Sequence, residues 1–198
     1  EPDTVFGRIH KKGKLNIPIE SEAQKIDFET NRFLKSRGFS RYEISSYSLP
    51  GHASRHNRVY WSGSGWWGFG MGATSSPWGE RFSRPRTIAG YTKWIEQKKS
   101  QFLEKTLFRE DSKPMPLDEL LMIGLRRREG VNLEEIAKNA GWTQKERDKN
   151  LKLLEKFWLD FLKEGYLLRN NGRYFLSDPI GMQISNQILI QMFLWWDS

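Results

Sequence analysis

Residues 41–75 read RYEISSYSLPGHASRHNRVYWSGSGWWGFGMGATS. Three textures follow one another in this stretch. Tyr42 and Ile44 alternate with polar neighbours, as in a short strand, and a turn at Leu49-Pro50-Gly51 closes it. Then RHNRVYW, residues 55–61, packs a histidine, an asparagine, two arginines and two aromatic rings into seven positions. Last, WWGFGMGATS reads as a buried strand in which Gly68, Gly70 and Gly72 recur at period two. One face of such a strand is bare, which invites close approach by another backbone or a ligand. The glycines resemble a dinucleotide loop only superficially. Ser75, Ser76 and Pro77 open a turn where that loop needs a helix.

Working outward, composition narrows the function classes. The chain has 198 residues and no cysteine, which excludes disulfides and cysteine-ligated zinc or iron–sulfur sites within them. The net charge is +8. Residues 1–112 hold 19 Lys/Arg against 12 Asp/Glu, and residues 113–198 hold 13 against 12. An anionic partner is therefore expected on the first part. No apolar run approaches the ~20 residues of a membrane span; the longest, Ile188 to Trp196, is broken by Gln191. No signal-peptide pattern follows Glu1. These features lead us to expect a soluble fragment, cytoplasmic or, in a eukaryote, organellar.

Upstream, Ser21 and Gln24 fit a capping box for a helix carrying Ala23, Ile26, Thr30, Phe33 and Leu34, ended by Gly38. Downstream, Thr87 caps a helix with an apolar side of Ile88, Tyr91, Trp94 and Ile95. A charged, proline-containing connection from about Ser100 to Pro116 separates two domains, 1–112 and 113–198. In the second, Leu117, Leu121 and Leu125 mark one helix, and Asn132 and Glu135 cap another. Thr143 and Glu146 form a capping box for a long third helix whose stripe runs from Leu151 to Leu162. YLLRNNGRYFL is a hairpin turning at Asn171-Gly172, and an amphipathic helix from Ile184 to Trp196 follows. This order is a winged-helix pattern. Its third helix carries Lys145, Arg147, Lys149 and Lys152, but Glu146, Asp148 and Glu155 interleave with them. That charge balance argues against DNA as a partner. The run Arg126-Arg127-Arg128 reads as a solvated helix end.

Two readings of RHNRVYW are open on residue chemistry alone. In one it is a surface turn under tryptophans, with a hydrogen-bonded His56. In the other it holds a flat, anionic, metal-bearing ligand. His56 would then ligate the metal, Arg55 and Arg58 would fork onto carboxylates, and Tyr60 and Trp61 would offer ring faces. No hydrolytic motif accompanies it. Glu43 could act as an acid or base, but in a basic region it is expected to be an ion-pair partner.

Taken together, these segments resemble the radical S-adenosylmethionine (SAM) family of oxygen-independent coproporphyrinogen oxidase and its HemW-type relatives. The family pattern Y-E-I-S-N-F-A, R-H-N-x-x-Y-W and G-F-G-A-G-A-H-S falls on Tyr42–Ser48, Arg55–Trp61 and Gly68–Ser75. EPDTVF resembles the family's E-P-G-T segment, LLMIGLRRREGVNL its M-L-G-L-R-x-x-x-G-V-x-L, and LSDPIGMQISNQIL its L-x-x-x-G-x-x-L-S-N-x-V. The cluster-binding C-x-x-x-C-x-x-C, which lies ahead of these motifs in the family, is absent. The sequence departs from the pattern at Ser46 (Asn), Ser48 (Ala), Met71 (Ala) and Thr74 (His). Ser54 stands where relatives often have cysteine.

The resemblance implies an α+β chain: the C-terminal fragment of a partial (β/α) radical SAM barrel, then a small winged-helix-like domain. H-N-x-x-Y-W is associated with the heme chaperones of the family rather than its oxidases. It implies heme bound by Arg55, His56, Asn57, Arg58, Tyr60 and Trp61, with His56 as the iron ligand, for delivery to an acceptor hemoprotein or respiratory-chain protein. Ser48, Gly70, Ala73 and Thr74 would edge a SAM pocket. The full-length protein would carry SAM and a four-iron four-sulfur cluster, which these residues alone cannot hold. Oxidative decarboxylation of coproporphyrinogen III and nucleic-acid binding are the alternative functions. No catalytic residue is assigned, and a dimer is left open.

Overall fold

A computed structural model describes residue 2 and residues 4–77, 81–103 and 115–198. The expected domain boundary at 112/113 lies outside these residues. In the first part the elements are α1 (Val5–Lys11), α2 (Glu20–Ser36), β1 (Ser40–Glu43), β2 (Ser46–Ser48), α3 (Arg55–Trp61), β3 (Thr74–Ser75), β4 (Phe82–Ser83) and α4 (Ile88–Leu103). β1–β2 and β3–β4 are separate antiparallel pairs, and no closed barrel forms among the described residues. The second part contains α5 (Leu117–Leu125), β5 (Val131–Asn132), α6 (Leu133–Asn139), α7 (Gln144–Phe157), α8 (Leu159–Lys163), β6 (Leu167–Asn170), β7 (Arg173–Leu176), α9 (Ile180–Gln183) and α10 (Ser185–Trp196). Its antiparallel sheet has the order β5-β7-β6.

Local signals account for much of the second part. The Asn132 side chain accepts from Glu135 N–H at 3.1 Å. The Thr143 hydroxyl accepts from Glu146 N–H at 3.3 Å while the Glu146 carboxylate takes Thr143 N–H at 2.7 Å, the reciprocal bonding of a capping box. Asn171 and Gly172 both adopt positive φ, 49° and 75°, as a two-residue hairpin turn demands. The long third helix is divided at Trp158, which is fully buried and donates its indole N–H to the Ile188 carbonyl at 3.2 Å. Among the described residues the contiguous buried apolar core runs from Leu117 to Trp195, with Leu121, Leu154, Leu167 and Met192 at its centre and Ile44 packed against it.

The first part departs from its sequence pattern in three ways, and the second part in one. α2 starts before Ser21: Glu22 accepts the Ile19 N–H at 3.1 Å and so opens the helix. Its apolar positions are exposed, Ile26 at 57% and Phe33 at 58%, whereas Asn31 is its one buried residue. The helix docks instead by a polar face, because Asp27, Asn31 and Lys35 meet a buried guanidinium. Arg41 is 2% exposed and binds Asp27 at 2.6 Å and the Tyr47 hydroxyl at 2.7 Å, with Asp178 of the second part at 3.5 Å. Asn31 and Lys35 reach Asp178 at 2.7 and 2.9 Å.

WWGFGMGATS is a loop rather than a strand. Gly70 and Gly72 sit at φ +91° and +69°, outside strand geometry. Within this loop, Thr74 and Ser75 pair with Ser83 and Phe82, and Trp66 makes one isolated bridge to Ser76. The close backbone approach does occur, at Gly68, where an added Cβ would collide with the Thr74 carbonyl.

Finally, Arg126–Arg128 is a seam and not a solvated end. Ile44 N–H donates to Arg126 O at 3.0 Å and Arg128 N–H to Tyr42 O at 3.1 Å, extending β1 across the two parts. Arg127 is half-buried there, and burial pushes its pKa below the ordinary arginine value.

Candidate functional site

RHNRVYW is a helix, α3, and not a surface turn. Ser54 caps it, its hydroxyl accepting Asn57 N–H at 3.3 Å. A serine three positions before Asn57 was the signal available in the sequence; seven residues are too few for an apolar period to declare itself. Helical geometry sorts the side chains onto two sides. Asn57, Tyr60 and Trp61 turn inward to line a cavity of about 410 Å³. Arg55, His56 and Arg58 are exposed and do not line it. The structure therefore splits the six heme-site candidates into two groups of three.

Rings connect the two sides. His56 meets Tyr60 edge-on at 4.8 Å between centroids, and Tyr60 meets Trp66 in the same way at 4.8 Å. The Arg81 guanidinium lies over Trp66 at 5.7 Å and ion-pairs with Glu119. Arg126 lies over Trp61 at 5.6 Å. Asn57 donates to the Tyr42 hydroxyl at 3.3 Å, fixing α3 against β1. On the outer side, Arg58 pairs with Glu129 of the second part. Arg55 and His56 have no ionic or hydrogen-bonding partner among the described residues. An imidazole backed by a phenol ring, beside a free guanidinium, can ligate a metal and bind a carboxylate.

Of the four residues expected at a SAM pocket, only Thr74 lines the same cavity. Its hydroxyl is hydrogen-bonded to Ser83 at 2.8 Å. Ser48 lies at the end of β2 opposite Ser40, and Gly70 is in the loop. The Ala73 carbonyl accepts Arg84 N–H at 3.0 Å. Buried Arg84 also donates to Ser75 Oγ at 2.8 Å and stacks over Trp94 at 5.2 Å, which fixes this loop. The residues present do not fit an iron–sulfur cluster. There is no cysteine, and the described residues contain no metal-competent group of three or more His, Asp or Glu.

Glu43, expected from the sequence to be an ion-pair partner, has no ion pair among the described residues. Glu43 is 2% exposed, lines the cavity, and among the described residues accepts only from Ser45, through its hydroxyl at 3.1 Å and its N–H at 3.3 Å.

Comparison with known proteins bears on what this arrangement belongs to. The chain is 36% identical to the heme chaperone HemW of a Synechocystis species, over 98% of this chain and 49% of that one. It is homologous to HemW. The heme chaperone HemW of Bacillus subtilis is 30% identical over 71% of this chain and 36% of its own. The chain thus spans about half the length, or less, of the curated relatives it matches. No family profile matches it. The structure of coproporphyrinogen III oxidase (HemN) from Escherichia coli, a radical SAM enzyme, superposes with a TM-score of 0.61 at 13% identity, covering 94% of this chain and 44% of that one. The fold of this HemW homologue is accordingly mixed α and β, like part of HemN, with a small α+β unit at its end. No described helix is long and apolar enough to cross a membrane.

Proposed function

We propose that this chain is the heme-handling part of a HemW-type heme chaperone, and that heme docks on the outer side of α3. The observation that carries this reading is the exposed His56, set on the Tyr60 ring beside unpaired Arg55. His56 ligates the heme iron through one ring nitrogen, Arg55 takes one propionate, and Arg58 takes the second by leaving Glu129. Asn57, Tyr60 and Trp61 act from the inner side by holding α3 in place. Homology to proteins named heme chaperones supports this assignment, as does the basic excess of residues 1–112. The heme is passed on to an acceptor hemoprotein. We place the SAM and cluster chemistry of a longer protein outside these residues.

Heme titration tests the reading. The wild-type chain should give a saturable Soret shift, and His56→Ala should weaken binding at least tenfold and move the Soret maximum. Equal affinity with an unchanged spectrum would remove His56 as the ligand.

A further inference from the structure

The inner side of α3 has the opposite chemistry from its outer side. A carboxylate removed from water and left without a cation is costly. Glu43 is so placed: it is 2% exposed, and among the described residues it accepts hydrogen bonds only from Ser45 and has no cation paired to it. Arg81, the cation that shares its cavity, is committed to Glu119 and to the face of Trp66. Three rings, Tyr60, Trp61 and Trp66, form part of the remaining wall, beside the polar side chains of Ser45, Ser46, Asn57 and Thr74. Aromatic faces attract cations, most strongly where water is excluded. Trp61 and Trp66 each already carry one guanidinium, at 5.6 and 5.7 Å. The volume, about 410 Å³, falls in the range of small-molecule sites.

From these features we propose that this cavity is a second binding site, for a small organic cation of the alkylammonium type, with Glu43 as its counter-ion. The carboxylate supplies the charge the ligand needs, and the rings replace its weakly held water. The same carboxylate repels propionates, so the cavity rejects the macrocycle that the outer side accepts. Two ligands of opposite charge can then sit on opposite sides of one helix.

Calorimetric titration of the 198-residue chain with choline tests this, with 3,3-dimethyl-1-butanol as the neutral compound of the same shape. Choline should bind saturably and at least tenfold more tightly than the alcohol. Glu43→Gln should abolish that preference while leaving the heme titration unchanged. If choline gives no saturable heat, or binds no better than the alcohol, the proposal is overturned. It is equally overturned if Glu43→Gln keeps the preference. The choline–alcohol comparison needs no variant, so it decides the matter even if Glu43→Gln fails to fold. The heme titration separates failure here from failure of the outer site.

Discussion

Arg41→Met should destabilise the protein by about 3 kcal/mol, the low end for breaking a buried ion pair. The low end applies because Asp27 and Asp178 keep some contact with water, at 35% and 19% side-chain exposure. Methionine fills much the same volume but supplies none of the donors that Asp27 and Tyr47 now accept from. Burial works to lower the Arg41 pKa, yet the hydrogen bonds with Tyr47 and Asp27 outweigh it and hold the group above the ordinary arginine value. The guanidinium is therefore charged at every pH where the protein is folded, and its loss is not rescued by titration. Thermal unfolding should show a Tm lower by roughly 6–12 °C. Adding Asp27→Asn should recover part of the loss, since it removes one stranded charge. A change below about 1 kcal/mol would mean that water takes over the cluster and that it does not tie α2 to the second part.

Gly130→Ala should have a larger effect. Gly130 has φ +61°, and an added Cβ would overlap the Tyr174 carbonyl and lie 2.6 Å from Phe175 Cβ. Both neighbours belong to β7, the central strand of the sheet, so the clash cannot be relieved by a side-chain rotation. The left-handed backbone alone costs an alanine about 1–2 kcal/mol. Displacing β7 brings the expected total above about 4 kcal/mol, the range reserved for severe steric damage. Gly141→Ala is the control, because Gly141 has φ +85° but nothing within 4 Å of an added Cβ. Denaturant unfolding of both variants isolates the clash. Equal losses would show that β5 and β7 separate freely.

The second part was readable because its signals are local. The Thr143 box, the Asn132 cap and the Asn171-Gly172 turn each lie within four residues, and the structure keeps all of them. The first part was harder because it is held together at long range. Asn31 bonds Asp178 across 147 positions, and Arg58 bonds Glu129 across 71. Nothing near α2 in sequence says that its polar side faces inward. The glycine loop misled for a different reason. Period-two spacing is shared by strands and by loops with alternating positive φ, and only the backbone angles distinguish them. His56 and Glu43 were both singled out from sequence, but not that one faces solvent and the other a cavity. That follows from a helix seven residues long, whose rotation is fixed by the Asn57–Tyr42 and Arg58–Glu129 bonds.

The Arg58–Glu129 pair has a kinetic side. A carboxylate that takes Arg58 must first displace one the protein already owns, held at high effective concentration by the fold. Such an internal competitor limits affinity and speeds departure, because Glu129 stands ready to reclaim the guanidinium as the guest loosens. For the heme carrier proposed above this would be useful. Such a task would end in release, and the group that reclaims Arg58 is built into the second part.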